Sequence, residues 1–235
     1  PYAILANGDP GQLTAKAKKT LSAALDELAD KEPLFRRSDA WRRFNVGHFF
    51  TGDVLDDIRA ILLKRGSLRS LVLELLEETE AVSSLVPELS HLVRDVAAEA
   101  SARQLAMRIL LKYPSYDVKG DIAELLSDET QIALELASRA ISIRGVAAVG
   151  RASVSTLLSK LGSLYPKPGT RDRSAMSRSF IDKLILSLDR EDIPYFLDEV
   201  ASNITCTCKA KSHYTCKCRD GSSKVVAKLL DRFFD

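Results

Sequence analysis

The chain's four cysteines are the residues whose type and spacing point most directly to chemistry. All of them fall in the segment CTCKAKSHYTCKC, as two C-x-C pairs separated by seven residues: Cys206, Cys208, Cys216 and Cys218. Thiolates are soft, charged donors, and four of them complete a tetrahedral zinc shell. The spacing therefore predicts one Zn²⁺ ion held by the four sulfurs. Because four thiolates leave no open coordination position, the predicted zinc is structural and not catalytic.

Other interpretations of the cysteine segment remain open. Two disulfides are the main alternative, but a reducing compartment disfavours them; an iron–sulfur cluster is the third. His213 lies between the two pairs and is an alternative ligand. The competing interpretation is that His213 is an exposed turn residue, because four cysteines already complete the shell.

The C-terminal segment resembles a SWIM-type zinc finger, whose pattern is C-x-C, a spacer, C-x-H and a helix carrying a small apolar residue. Here Cys218 stands where the family has histidine, and RDGS separates it from a helix predicted at 222–230. In this helix Ser222 or Ser223 is the predicted cap and Ala227 the small residue. The resemblance implies a zinc-bound hairpin and helix that contact DNA or a protein partner. Similar modules occur in recombination-associated proteins, transposases and chromatin remodellers.

Basic residues concentrate around the cysteines although the whole chain has a formal net charge of only +2. Between Cys206 and Lys228 there are six lysines and arginines against one acidic residue, Asp220. Such a surface can grip phosphates, and an aromatic side chain within it can stack on a base. The alternative is a solvated face that only keeps the thiolates ionised. The predicted nucleic-acid contacts are Lys209, Lys211, Tyr214, Lys217, Arg219, Lys224, Lys167, Arg171 and Arg173.

A second candidate chemistry lies in the segment RRFNVGHFF. Arg43 and His48 form an R-x4-H spacing that resembles the ribonuclease motif of HEPN domains, which are helical bundles that dimerise. Arginine and histidine at this spacing could orient and protonate a ribose-phosphate. The competing interpretation is an arginine-rich connection whose aromatic residues pack on the bundle.

Apolar residues recur at three- and four-residue steps, and proline or glycine punctuates the pattern. One predicted helix is capped by Thr51 or Asp53 and ends at Gly66, and the next begins at Ser67. The fold class is therefore mainly α: an irregular multi-helix bundle with a small C-terminal zinc-binding β-hairpin plus helix. The other predicted helices span 11–31, 88–112 (after Pro87), 118–126, 128–143, 152–161, 175–188 and 190–202.

Composition predicts three regions. Residues 1–161 form the helical bundle, 162–174 a basic loop or linker, and 175–235 helices plus the four-cysteine module. No apolar run approaches the roughly 20 residues that span a bilayer, so no membrane association is expected. Residues 1–7 are too short and too neutral for a secretory signal, which predicts a cytoplasmic protein.

These patterns predict a non-enzymatic, zinc-stabilised adaptor. It would contact DNA or RNA and a protein partner, or a second copy of itself, in DNA recombination or repair or in a mobile-element or defence system. One alternative is a structural subunit of a protein assembly in which zinc is only a staple. The other is a HEPN-like RNase that uses Arg43 and His48.

Overall fold

The residues that a computed structural model of the protein describes are mainly helical. The predicted mainly α class is confirmed, because every regular element in these residues is helical. The predicted β-hairpin falls within 204–219, which lies outside the described residues. None of the described helices is both long and apolar enough to cross a lipid bilayer. The described residues are 4, 8–31, 46–77, 79–128, 130–165, 178–203 and 220–235.

Unit 1, residues 1–116, is the first of two compact units. Within it α4 packs against α5 and α2, while α3 packs against α1, α2 and α5. Short 3-10 turns at Pro10–Gln12, Val46–Phe49 and Gly52–Val54 lie between or beside these helices. The α-helices in its described part are α1 (Ala15–Lys31), α2 (Leu55–Leu63), α3 (Ser67–Leu76), α4 (Val82–Arg94) and α5 (Ala100–Lys112).

Helix α4 corrects the prediction that a new helix starts after Pro87. The helix already begins at Val82 and continues through the proline. Proline cannot donate the i→i−4 hydrogen bond. However, Leu85, Leu89 and Leu92 follow helical spacing and are at most 3% exposed. Burial of this apolar face offsets the missing bond.

A second correction concerns residues 88–112, which were predicted as one helix. The chain leaves the helix between Arg94 and Ala100. The carboxylate of Asp95 accepts a hydrogen bond of 2.9 Å from the backbone N–H of Ala97. Aspartate favours such local turns over a continuing helix. The break lets α4 and α5 pack against each other.

Unit 2 spans residues 117–235. Helix α7 packs against α6, α9 and α10, while α11 and α12 pack on each other and on α9. Short 3-10 turns occupy Gly162–Leu164 and Arg190–Asp192. The α-helices in the described part are α6 (Lys119–Ser127), α7 (Gln131–Arg144), α8 (Val146–Val149), α9 (Arg151–Leu161), α10 (Ser179–Ser187), α11 (Ile193–Asn203) and α12 (Asp220–Phe234).

The boundaries of α7 are set by its caps. Its start was predicted at 128, but the helix begins at Gln131, because the Thr130 hydroxyl accepts a hydrogen bond of 3.4 Å from the Ala133 N–H. At the other end Gly145 has φ of 80°, a conformation that other residues adopt only with strain. Gly150, at φ 87°, makes a second such turn before α9.

The division between the units differs from the predicted linker at 162–174. Residues on both sides of that segment belong to unit 2. The Gly162–Leu164 turn packs on α12, and α9 packs on α11 and α12. The described residues before and after the basic loop therefore share one core.

Candidate metal and nucleic-acid site

The predicted zinc ligands lie outside the described residues, within 204–219. This holds for all four cysteines and for the alternative ligand His213. The segment follows α11, which ends at Asn203, and precedes α12, which begins at Asp220. In the described part of the chain, no group of three or more His, Cys, Asp or Glu side chains is arranged to hold a metal ion.

Of the predicted nucleic-acid contacts, the structure describes Lys224. It lies on the second turn of α12, and its side chain is exposed. The remaining predicted contacts fall in two segments outside the described residues, 166–177 and 204–219: Lys167, Arg171, Arg173, Lys209, Lys211, Tyr214, Lys217 and Arg219.

Helix α12 anchors the C-terminal end of the cysteine segment to the body of unit 2. Val225 and Leu229, one helical turn apart, are both 0% exposed. They form the apolar stripe that packs against α9, α10 and α11. The helix predicted at 222–230 is thus present and extends further in both directions. Ala227, the small residue of the SWIM pattern, is exposed.

Two glycines bring the start of α12 into direct contact with the Gly162–Leu164 turn. A Cβ atom at Gly221 would overlap the carbonyl oxygen of Gly162. A Cβ atom at Gly162 would lie 2.7 Å from Oγ of Ser222. The contact therefore leaves no room for a side chain on either residue. It fixes the first turn of α12 beside the residues that lead into the basic loop.

Tyr165 lies next to this glycine contact and holds two cations against its ring. The Arg178 guanidinium carbon and the Lys224 Nζ atom each lie 5.0 Å from the ring centroid. The electron-rich face of an aromatic ring attracts cations at this distance. Burial raises the pKa of Tyr165 above its ordinary value, against the opposing effect of the Lys228 charge. The phenol is therefore neutral at physiological pH, and the ring interacts with the cations through its quadrupole.

Lys228, one turn after Lys224, has a different role. Its ammonium group forms an ion pair with the carboxylate of Asp182 on α10. This hydrogen bond raises the pKa of Lys228. The pair joins α12 to α10. Among the described residues, Lys224 forms no corresponding ion pair, and its ammonium group lies against the Tyr165 ring.

The Tyr165 cluster, defined as Tyr165, Arg178 and Lys224, brings together described residues that flank two predicted functional segments. Tyr165 directly precedes 166–177 and Arg178 directly follows it. The helix that carries Lys224 begins directly after 204–219. Sequence analysis did not identify Tyr165. The signal that could have identified it is an aromatic residue at the edge of an arginine- and lysine-rich loop.

The second candidate chemistry lies in unit 1. His48 is exposed on the Val46–Phe49 turn, and its backbone carbonyl accepts a hydrogen bond of 3.1 Å from Nζ of Lys18. Arg43 lies outside the described residues. Of the predicted Arg43–His48 pair, the structure therefore describes only the exposed imidazole of His48.

Two pockets in unit 1 offer little for catalysis. An apolar cavity of ≈ 20 Å³ lies among Leu25, Phe50 and Leu71, and it is too small for an organic ligand. A groove of ≈ 480 Å³ runs along α1 and presents one ammonium group and two hydroxyls among aliphatic side chains. Its lining is Ile4, Thr14, Lys16, Ala17, Thr20, Leu21 and Ala24.

Comparison with known proteins adds no relative. No family model, curated protein or solved structure matches this chain significantly. The resemblance to SWIM-type zinc fingers therefore stays a prediction from the cysteine pattern.

Proposed function

We propose that this protein is a non-enzymatic, zinc-stabilised adaptor that contacts nucleic acid and a protein partner. The observation behind this proposal is the Tyr165 cluster, where both ends of the basic loop meet the helix that follows the cysteine segment. This arrangement supports one basic surface made from two segments that are distant in sequence. An adaptor needs such a surface and no catalytic group.

The proposed metal is Zn²⁺ bound by Cys206, Cys208, Cys216 and Cys218, with His213 as the alternative ligand. The donor set fits, because four thiolates satisfy zinc and exclude a catalytic water. The flanking helices also support it, since α11 and α12 pack on each other and so fix both ends of the segment. When bound, zinc supplies a cross-link that orders the segment. Thiolates that stay reduced imply a reducing compartment, which we take to be the cytoplasm.

The proposed nucleic-acid contact is electrostatic. Lys224 contributes an exposed ammonium group. The other predicted cations belong to the segments 166–177 and 204–219, which lie outside the described residues. Contacts of this kind go mainly to phosphates, so they position the protein without reading sequence. We therefore expect binding that weakens steeply with salt and tolerates changes of base sequence.

The proposed protein partner is supported by exposed apolar side chains at the C-terminal end of α12. Phe234 is 78% exposed, and its ring lies 5.2 Å from that of Phe233. Leu186 on α10 is 63% exposed, and Arg232 of α12 donates a hydrogen bond of 3.3 Å to the Leu188 carbonyl. Both helices therefore expose apolar side chains, and this hydrogen bond joins α12 to the residue that follows α10. Exposed apolar patches of this kind often mark interaction sites.

The experiment is a nucleic-acid binding titration with the full chain. Fluorescence anisotropy would follow labelled single-stranded and double-stranded DNA and RNA at several salt concentrations, with zinc-loaded protein and with protein treated with a chelator. The proposal predicts salt-dependent binding by the zinc-loaded form and weaker binding after chelation.

The matched control for chelation is the double variant Cys206→Ser, Cys216→Ser, which should bind as weakly with zinc as without it. A protein that retains zinc but binds none of these nucleic acids would contradict the adaptor function. That result would favour the alternative, a structural subunit in which zinc is only a staple.

A further inference from the structure

The geometry of the Tyr165 cluster points to a phosphate site that the basic pattern alone does not identify. Three separate segments build it: the residue after the Gly162–Leu164 turn, the residue before α10, and α12. Each cation lies 5.0 Å from the ring centroid, so their charges are within about 10 Å of each other. Like charges at this spacing repel, and an anion that approaches both relieves the repulsion.

The two cations of the cluster differ in exposure. Arg178 is 7% exposed, and it has further interactions within the protein. Lys224 is exposed. Arg178 therefore contributes positive potential from a buried position, while Lys224 supplies the exposed ammonium group.

The neighbouring carboxylate does not neutralise Lys224. Asp182 is the acidic group whose charge acts on Tyr165, and it is paired with Lys228. Helix α12 thus uses one lysine to hold α10 and leaves the other, one turn earlier, facing the ring. The site keeps excess positive charge at Lys224, which suits a phosphate group.

We propose that Lys224, beside Arg178, contacts a phosphodiester group, and that Tyr165 is a positioning residue that holds the Lys224 ammonium in place. The inference rests on the proposed function for the source of the phosphate, which is a nucleic-acid backbone. It adds that this contact is built on the folded body of unit 2 and depends on the Tyr165 ring. Tyr165 acts through its ring, because a cation is attracted to the ring face and not to the hydroxyl.

The test compares Lys224→Gln with Lys119→Gln, using anisotropy of a labelled oligonucleotide over a range of salt concentrations. Lys119 is an exposed lysine of α6 in the same unit. Loss of one phosphate contact should reduce the slope of log affinity against log salt by about 1 and weaken binding several-fold for every sequence tested. Lys119→Gln should leave both quantities unchanged.

The role of Tyr165 is tested by a pair of substitutions. Tyr165→Phe keeps the aromatic face and should bind like the unsubstituted protein. Tyr165→Leu removes it and should shift affinity and salt slope toward those of Lys224→Gln. If Tyr165→Leu also lowers the melting temperature, binding is compared at a temperature at which both Tyr165 variants are folded. Equal loss in Tyr165→Phe and Tyr165→Leu would overturn the positioning role. Tyr165→Leu that binds like Tyr165→Phe would also overturn the positioning role.

Failure of this inference can be told apart from failure of the proposed function. If the unsubstituted protein binds the oligonucleotide and Lys224→Gln matches Lys119→Gln, the phosphate site is wrong and the adaptor function stands. If the oligonucleotide does not bind, the adaptor function falls, and a titration with inorganic phosphate decides the site. A selective change of the Lys224 side-chain NMR signal would retain a site for free phosphate. If the Lys224 signal changes no more than the Lys119 signal, Lys224 is not part of a phosphate site.

Discussion

Three buried basic side chains of unit 1 differ in their surroundings from Lys224, the exposed cation of unit 2 that we assign to a ligand. In unit 1, Lys18, Arg69 and Arg103 are at most 3% exposed and are engaged inside the protein. Nε of Arg103 donates a hydrogen bond of 2.9 Å to the Val93 carbonyl, and Arg69 pairs with Glu99. In unit 2, Lys224 is exposed on an aromatic ring. The difference teaches that a basic residue's surroundings, and not its count, decide whether it stabilises the fold or meets a ligand.

The largest effect is expected from closing the glycine contact in unit 2. Gly221→Ala would drive a Cβ atom into the Gly162 carbonyl, and the start of α12 would have to move. Overpacking of this kind should lower the free energy of unfolding by about 3 kcal/mol. Chemical denaturation measures the change.

The matched control is Gly120→Ala, because the space around a Cβ atom at Gly120 in α6 is open. This substitution should be neutral or stabilising by up to about 1 kcal/mol, since alanine is the better helix former. Similar losses in both variants would show that the glycine contact does not anchor α12.

Two adjacent lysines on α1, Lys18 and Lys19, allow a test of whether a buried cation stabilises unit 1. Nζ of Lys18 donates hydrogen bonds to the His48 carbonyl, at 3.1 Å, and to the Thr51 hydroxyl, at 2.5 Å. Lys18→Ala leaves both acceptors without this donor and should cost about 2 kcal/mol in the free energy of unfolding. Lys19 is the exposed neighbour.

Lys19→Ala should change the free energy of unfolding by no more than about 0.5 kcal/mol. Thermal or denaturant midpoints of the two variants provide the comparison. Equal unfolding midpoints for Lys18→Ala and Lys19→Ala would contradict the claim that the buried cations of unit 1 stabilise its fold.

The pH dependence of stability should also separate the units. The pKa of Glu99 is lowered, first by a hydrogen bond from its own backbone N–H and then by Arg69. Its contribution is therefore present above its ordinary value of 4.5 and is lost as pH falls through the lowered value. The pKa of Lys228 is raised by Asp182, so its contribution is present below 10.5 and is lost as pH rises through the raised value.

Each of these contributions should be below about 1 kcal/mol, because both groups are partly solvated. Amide hydrogen exchange in α5 and α12, measured over a range of pH, would show which helix each contribution stabilises. Glu99→Gln should reduce the loss of stability that α5 shows at acid pH. Asp182→Asn should reduce the loss of stability that α12 shows at alkaline pH. If neither variant changes the pH dependence of stability, the contributions assigned to Glu99 and Lys228 would be contradicted.

The smallest expected effect concerns His48. Because the adaptor account assigns no catalysis to unit 1, His48→Ala should not change RNA cleavage from the level of the unsubstituted protein. Gel analysis of a labelled RNA measures it, with Arg43→Ala as the companion variant. Cleavage that both substitutions abolish would establish the HEPN-like RNase alternative instead.

Sequence alone was sufficient for the helical class and for most of the helices, because apolar spacing is a local signal. Boundaries failed where a local competitor decided them. Asp95 breaks the predicted 88–112 helix with its own side chain, and α4 passes through Pro87 because three leucines bury one face.

The Tyr165 cluster could not be predicted from spacing, because it depends on tertiary contacts. Tyr165 and Lys224 are far apart in sequence and come together beside the close contact between Gly162 and Gly221. The basic character of the segments was visible, but the residue on which their ends converge was not. For the same reason, apolar spacing did not show that the described residues on both sides of the predicted loop or linker at 162–174 share a core.

The central claim is that the four C-terminal cysteines bind one zinc ion, and X-ray absorption at the zinc edge tests it most directly. The purified full chain, after dialysis, should retain one zinc per chain with four sulfur neighbours at about 2.3 Å. Three sulfurs and one nitrogen would instead identify His213 as a ligand. A chain that retains no zinc, with its cysteines joined as disulfides, would contradict the account.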